Sequence, residues 1–177
     1  MKTPLAKFDD FANSRFAQLV GNHGFEHVEG NSSHHGSSHV FRNGELYIKL
    51  SMNVDPRDAP NYCVVSFGEG AYTWPEQDWN AVALWRIIAE HPEGDFEATE
   101  YTMQDPAADL DGVIERILRD VSTYGADFLS GETTTMKAAR AKMNREREPY
   151  KHYKKDESGN MTMTYDQKSS ELKERFS

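Results

Sequence analysis

Four of the seven histidines fall within the sixteen residues EHVEGNSSHHGSSHVF, Glu26 to Phe41. Histidine binds transition metals and changes charge as pH falls past about 6.5. His35 and His39 are spaced H-x3-H, as are His23 and His27. On a helix that spacing turns both rings to one side and suits Zn2+. Gly36 and the neighbouring serines work against a helix, and no H-E-x-x-H, cysteine pair or D-x-D-x-D-G loop accompanies the histidines. His34, His35 and His39 would need a carboxylate such as Glu26 or Glu29 folded back beside them. The expectation is therefore a polar connection at the rim of a sheet, a binding edge near acidic loops, with no metal and no other cofactor.

Nucleophilic chemistry has little to stand on. Cys63 is the only cysteine and sits in NYCVVSFG, which reads as a buried strand where a thiol is a small inert hydrophobe. G-x-S-x-G is absent, FGEGAY lacks the third glycine of a phosphate loop, and no Walker-type loop occurs. The carboxylate pairs Asp9/Asp10, Asp55/Asp58, Glu97/Glu100 and Asp109/Asp111 read as solvated acidic faces. No catalytic residue is expected.

Charge is the stronger signal. The net charge is −9, but residues 1–131 hold nine Lys and Arg against 21 Asp and Glu, whereas residues 132–177 hold 11 against eight. An acidic front of net −12 is thus followed by an extension of net +3. Such a front suits capture of a basic protein, because complementary charge speeds association and selects the partner. Asp55, Asp58, Glu93, Asp95, Glu97 and Glu100, in loops around Asp55–Asp58 and Glu93–Glu100, are the candidate partner-binding acids. The alternative is nucleic acid. Between Lys137 and Lys155 eight Lys and Arg face only Glu146 and Glu148, and interleaved tyrosines can stack on bases. Lys137, Arg140, Arg145, Arg147, Lys151, Tyr153 and Lys154 are the candidate contacts. The competing expectation is that these charges are attracted to the protein's own acidic front.

The elements that must position these residues follow from periodicity. Leu5, Phe8, Phe11, Ala12, Phe16 and Leu19 form one stripe of a helix from about Pro4 to Val20, with Gly21 suited to ending it. A hairpin follows, with Val40–Phe41 and Leu46–Leu50 flanking Asn43-Gly44 as a type I′ turn. YCVVSFG adds a strand, DWNAVALWRIIAEH reads as one helix stopped by Pro92, and the acidic loop after it has room for an edge strand. Leu110, Val113, Ile114, Ile117, Leu118, Val121, Tyr124, Phe128 and Leu129 keep helical period over five turns, and Gly125 among them points to a close crossing. In the extension, Met136, Ala139 and Met143 form a thin apolar line. Tyr150 and Tyr153, a Ser158-Gly159-Asn160 turn, and Met161, Met163 and Tyr165 read as a hairpin, and KSSELKERFS as a polar end.

The expectation is an α+β protein: an antiparallel β-meander of three to five strands with two or three helices packed on it, residues 1–131, then a basic helical and hairpin extension, residues 132–177. No stretch has the roughly 18 apolar residues of a membrane span. With one cysteine and no leader-like start, a cytoplasmic protein is expected. The order of FAQLVGNHGFE, HVFRNGELYIKLS and YGADFLSGE resembles small bacterial α+β proteins, some of them immunity proteins of toxin systems, over residues 5–132. That resemblance implies a non-enzymatic protein that binds and blocks a partner, and it assigns no site residues. A bacterial or phage origin fits both functional readings.

Overall fold

The computed structural model describes residues 2–58, 60–91 and 101–177. Its architecture is α+β, with a six-stranded antiparallel sheet, helices packed on it, and a helix-flanked hairpin after it.

The chain opens with helix α1 (Pro4–Phe11). The Thr3 hydroxyl accepts from the Ala6 amide at 3.2 Å, and Pro4 occupies the first turn, where no amide hydrogen is needed. A π turn (Ala12–Phe16) and a short helix α2 (Ala17–Gly21) continue it. The π turn inserts extra residues per turn and rotates the buried stripe. Phe8, Phe11, Ala12, Phe16 and Val20 are buried, while Leu19, expected on the stripe, is only partly covered.

The sheet begins with strands β1 (Glu26–Ser32) and β2 (Gly36–Asn43), joined by a tight turn. The histidine-rich stretch is therefore two paired strands and not a polar loop. Pairing with a third strand, β3 (Leu46–Asn53), overrides the weak strand propensity of its serines and glycines. The β2–β3 turn centres on Gly44-Glu45 rather than Asn43-Gly44. Gly44 has φ 58° and, among the described residues, none other than glycine has positive φ, which is the type II′ pattern.

Strand β4 (Asn61–Glu69) completes the meander, flanked by β5 (Ala81–Ala83) and β6 (Tyr101–Met103). The single helix expected over DWNAVALWRIIAEH is divided into α3 (Gln77–Asn80), β5 and α4 (Leu84–Glu90). Val82 lies opposite Phe67 in the β4–β5 ladder and is 1% exposed, so tertiary pairing defeats helical propensity here.

Helix α5 (Pro106–Tyr124), capped by Asp105, and short α6 (Ala126–Leu129) cover the core face of the sheet. Gly125 between them is the expected close crossing. A Cβ there would lie 2.7 Å from Phe67 Cζ, and the Phe67 and Phe128 rings stack at 4.5 Å. Helix α7 (Thr134–Glu146) joins this core through Met136, Ala139 and Met143. Strands β7 (Lys151–Lys155) and β8 (Met161–Tyr165) form a separate hairpin. The segment expected as a polar end is helix α8 (Gln167–Phe176), whose Leu172 and Phe176 bury Trp79. Two apolar residues on an otherwise polar helix suffice because the large Trp79 ring, 0% exposed, packs with both.

Candidate functional site

One end of the sheet gathers the polar groups that α1, β1 and β2 bring together. Side chains alternate along a strand, so Ser37, His39 and Phe41 point to the core face of β2. Residues His27 and Ser32 of β1 lie opposite Phe41 and Ser37. Asp9 reaches the same place from the flank of the α1 stripe. Its Oδ1 accepts from His39 Nε2 at 2.9 Å and from the Ser37 hydroxyl, and its Oδ2 accepts from Ser32 Oγ at 2.9 Å. His39 Nδ1 lies 3.2 Å from His27 Nε2.

The protons in this chain can be placed by elimination. A carboxylate only accepts, so the His39 nitrogen facing Asp9 carries hydrogen, and a neutral His39 then accepts from His27 through Nδ1. Burial raises the Asp9 carboxyl, but hydrogen bonds from Ser37, His39 and Ser32 outweigh it and hold the group below the ordinary carboxylate range. His39 is 3% and Ser37 4% exposed, whereas His27 is exposed.

This is not a nucleophile triad. In a triad the serine and the acid use opposite nitrogens of the imidazole. Here Ser37 Oγ sits 3.2 Å from His39 Nε2, the nitrogen already held by Asp9, so the serine and the acid share one nitrogen. Cys63 is equally unsuited, since burial pushes its thiol up to about 12.

Beside Asp9 opens a groove of about 770 Å³, within the roughly 300–1,000 Å³ range of ligand sites. Pro4, Leu5, Val54, Pro56, Pro106 and Ala107 form its mainly apolar walls, and Asp9, Ser32, Ser33, His34 and Asp105 supply polar groups. Chain topology creates it. The Thr3-capped start of α1, the β1–β2 turn, the β3–β4 connection and the Asp105-capped start of α5 all end at one side of the sheet.

The residues singled out by sequence fall as follows. His34 and His35 have ring centroids 3.9 Å apart in the β1–β2 turn, and His35 Nδ1 lies 3.7 Å from Asp55. His39 belongs to the Asp9 network, so the three are not brought together around one point. Among the described residues no group of three or more His, Cys, Asp or Glu is placed to hold a metal. Asp55 is 8% exposed and engaged by the Arg57 side chain and amide, which hold its carboxyl at about 2. Asp58 ends the short 3₁₀ turn Pro56–Asp58. Glu93, Asp95, Glu97 and Glu100 lie outside the described residues.

Much of the basic run turns inward. Lys137 and Arg140 meet Glu69 at 3.1 and 3.7 Å, and Arg140 is 7% exposed. Arg147 donates to the Asp78 carbonyl and lies over the Trp79 ring. Lys151 pairs with Glu148. Arg145, Lys151, Tyr153 and Lys154 are on the surface.

The sequence places Asp9 beside Asp10 in what reads as a solvated acidic pair. The signal that could have found its partner was the alternation Ser37-His39-Phe41, which turns a histidine inward beside the first helix. No protein family, curated protein or solved structure matches the chain. Among the described residues no helix is long and apolar enough to cross a membrane.

Proposed function

We propose that the chain is a non-catalytic protein-binding module of the immunity or inhibitor kind, which seats a basic, partly apolar segment of a protein partner in the groove beside Asp9. The observation that carries this reading is the groove itself: apolar walls for side chains, with carboxylates of Asp9 and Asp105 at its edge. The ionised Asp9 is held by its hydrogen bonds, so it presents charge without needing reorganisation when a cation arrives. The surplus of acids over residues 1–131 would steer a basic partner toward it. Nucleic acid has less support, because Lys137, Arg140 and Lys142 spend their charges on Glu69 and Glu90.

Calorimetric titration with short leucine–lysine peptides tests the reading. Micromolar binding at low salt is expected, weakening as salt rises, with no binding of leucine–glutamate peptides. Ala107→Trp fills the groove from an exposed wall position and should abolish binding. Unchanged binding by that variant, or no binding by the native chain, refutes the proposal.

A further inference from the structure

The β7–β8 hairpin stands apart from the core. All ten strand residues are exposed. Its register sets Tyr153 opposite Met163, Lys151 opposite Tyr165 and Lys155 opposite Met161. Directly opposed residues share a face, so these six side chains line one side of the hairpin and Lys154, His152 and two threonines the other. Tyr153, Met161, Met163 and Tyr165 are between 44% and 63% exposed. An isolated two-stranded hairpin is marginal in water, and a contiguous apolar face marks an interaction surface.

The hairpin is held firmly at its root. The Asp166 amide donates to the Tyr150 carbonyl at 2.7 Å, the Tyr150 amide donates to Ser169 Oγ at 2.9 Å, and the Tyr150 hydroxyl donates to Asp78. At its tip Asp156 accepts from the Asn160 amide at 2.8 Å, and Gly159 takes φ 87°. It is an arm ordered before it meets anything, which lowers the entropic cost of docking.

We infer that this arm docks in the Asp9 groove of a second copy of the chain, so that copies associate head to tail. The inference rests on the groove reading above and names an occupant for it. Three observations select this partner. The arm is exposed, so it does not fill the groove of its own chain. Lys155 shares the apolar face with Lys151, which is paired with Glu148, so stacking two arms face to face would bring the Lys155 charges onto that face together. The groove offers the complement: apolar walls, Asp9 and Asp105, on a front of net −12. Nucleic acid would have to approach a molecule of net −9 against repulsion. An arm in a groove is a heterologous contact, which closes as a pair when exchanged reciprocally and otherwise propagates into a ring or an open chain. Six side chains bury less than a standard interface, so association is weak and concentration-dependent.

Sedimentation velocity of the full chain decides it. At about 0.05 M salt the mass should rise with concentration to that of a dimer or beyond, and at about 1 M salt it should return toward the monomer. The arm variant Tyr153→Asp/Met163→Asp and the groove variant Ala107→Trp should each be monomeric. Their equimolar mixture should stop at a dimer, because it contains one intact arm and one intact groove per pair. A native chain that stays monomeric overturns the inference, and if leucine–lysine peptides still bind, the groove reading survives alone. Self-association of the arm variant also overturns it. So does a monomeric native chain that retains single-stranded DNA through Tyr153, which would make nucleic acid the occupant.

Discussion

At the scale of single residues, Asp9 ties α1 to both β1 and β2. It is the acceptor for His39, Ser37 and Ser32, and it stands at the edge of the groove. Replacing it with alanine leaves buried polar groups without their acceptor, at a cost of about 1–3 kcal/mol at neutral pH. The pH dependence has a definite sign. The folded carboxyl is held below its ordinary value, so its stabilisation is complete above the unfolded value near 3.9 and fades as pH falls through the lower folded one. Urea melts of native chain and Asp9→Ala should therefore differ at pH 7 and converge at the acid end. An equal gap at both would show that the hydrogen bonds do not depend on the ionised carboxylate.

At the scale of elements, the clearest lesson lies at Gly125. Glycine-to-alanine changes in helical surroundings usually stabilise by up to about 1 kcal/mol. Gly125 has φ −94°, which alanine adopts readily, so backbone conformation is not the obstacle. Space is the obstacle: the added Cβ would meet the Val121 carbonyl at 2.6 Å and Phe67 Cζ at 2.7 Å. Gly125→Ala should therefore cost about 1–3 kcal/mol, as overpacking does, and a stabilised variant in urea melts would contradict the account. Elements carried by a dense apolar period were legible in the sequence: α1, α5 and strands β3 and β4. Those made by partners were not. Strand β5 exists because Val82 lies against Phe67, and α8 because Trp79 needs covering.

At the scale of the whole molecule, the basic extension is bound into the acidic body. Met136, Ala139 and Met143 sit in the same core as the sheet, and Arg140 reaches both Glu69 and the Asn80 carbonyl. Shared core means shared cooperativity, so tryptophan fluorescence and far-ultraviolet circular dichroism should report one coincident unfolding transition. Two separated transitions would show that the extension unfolds by itself. Within this latch the two cations of Glu69 are unequal. Lys137 is exposed, and Lys137→Ala should cost at most about 1 kcal/mol. Arg140 is buried over the Phe176 ring, and Arg140→Ala should cost several times more in the same melts, since it removes packing and strands the groups it satisfies.

The sequence by itself determined the α+β class, the acidic front and basic extension, and the hairpin at 151–165. Each of these is written in local period, turn chemistry or charge count. Tertiary structure alone decided that the histidine-rich stretch is a pair of strands, that His39 turns inward to Asp9, and that two helix starts, a turn and a loop converge on one groove. The reason is physical. Hydrophobic period reports which face of an element is buried, but it carries no information about which distant polar group that face will meet. Asp9 and His39 are 30 residues apart, and only the packing of α1 across the β1–β2 edge makes them a pair.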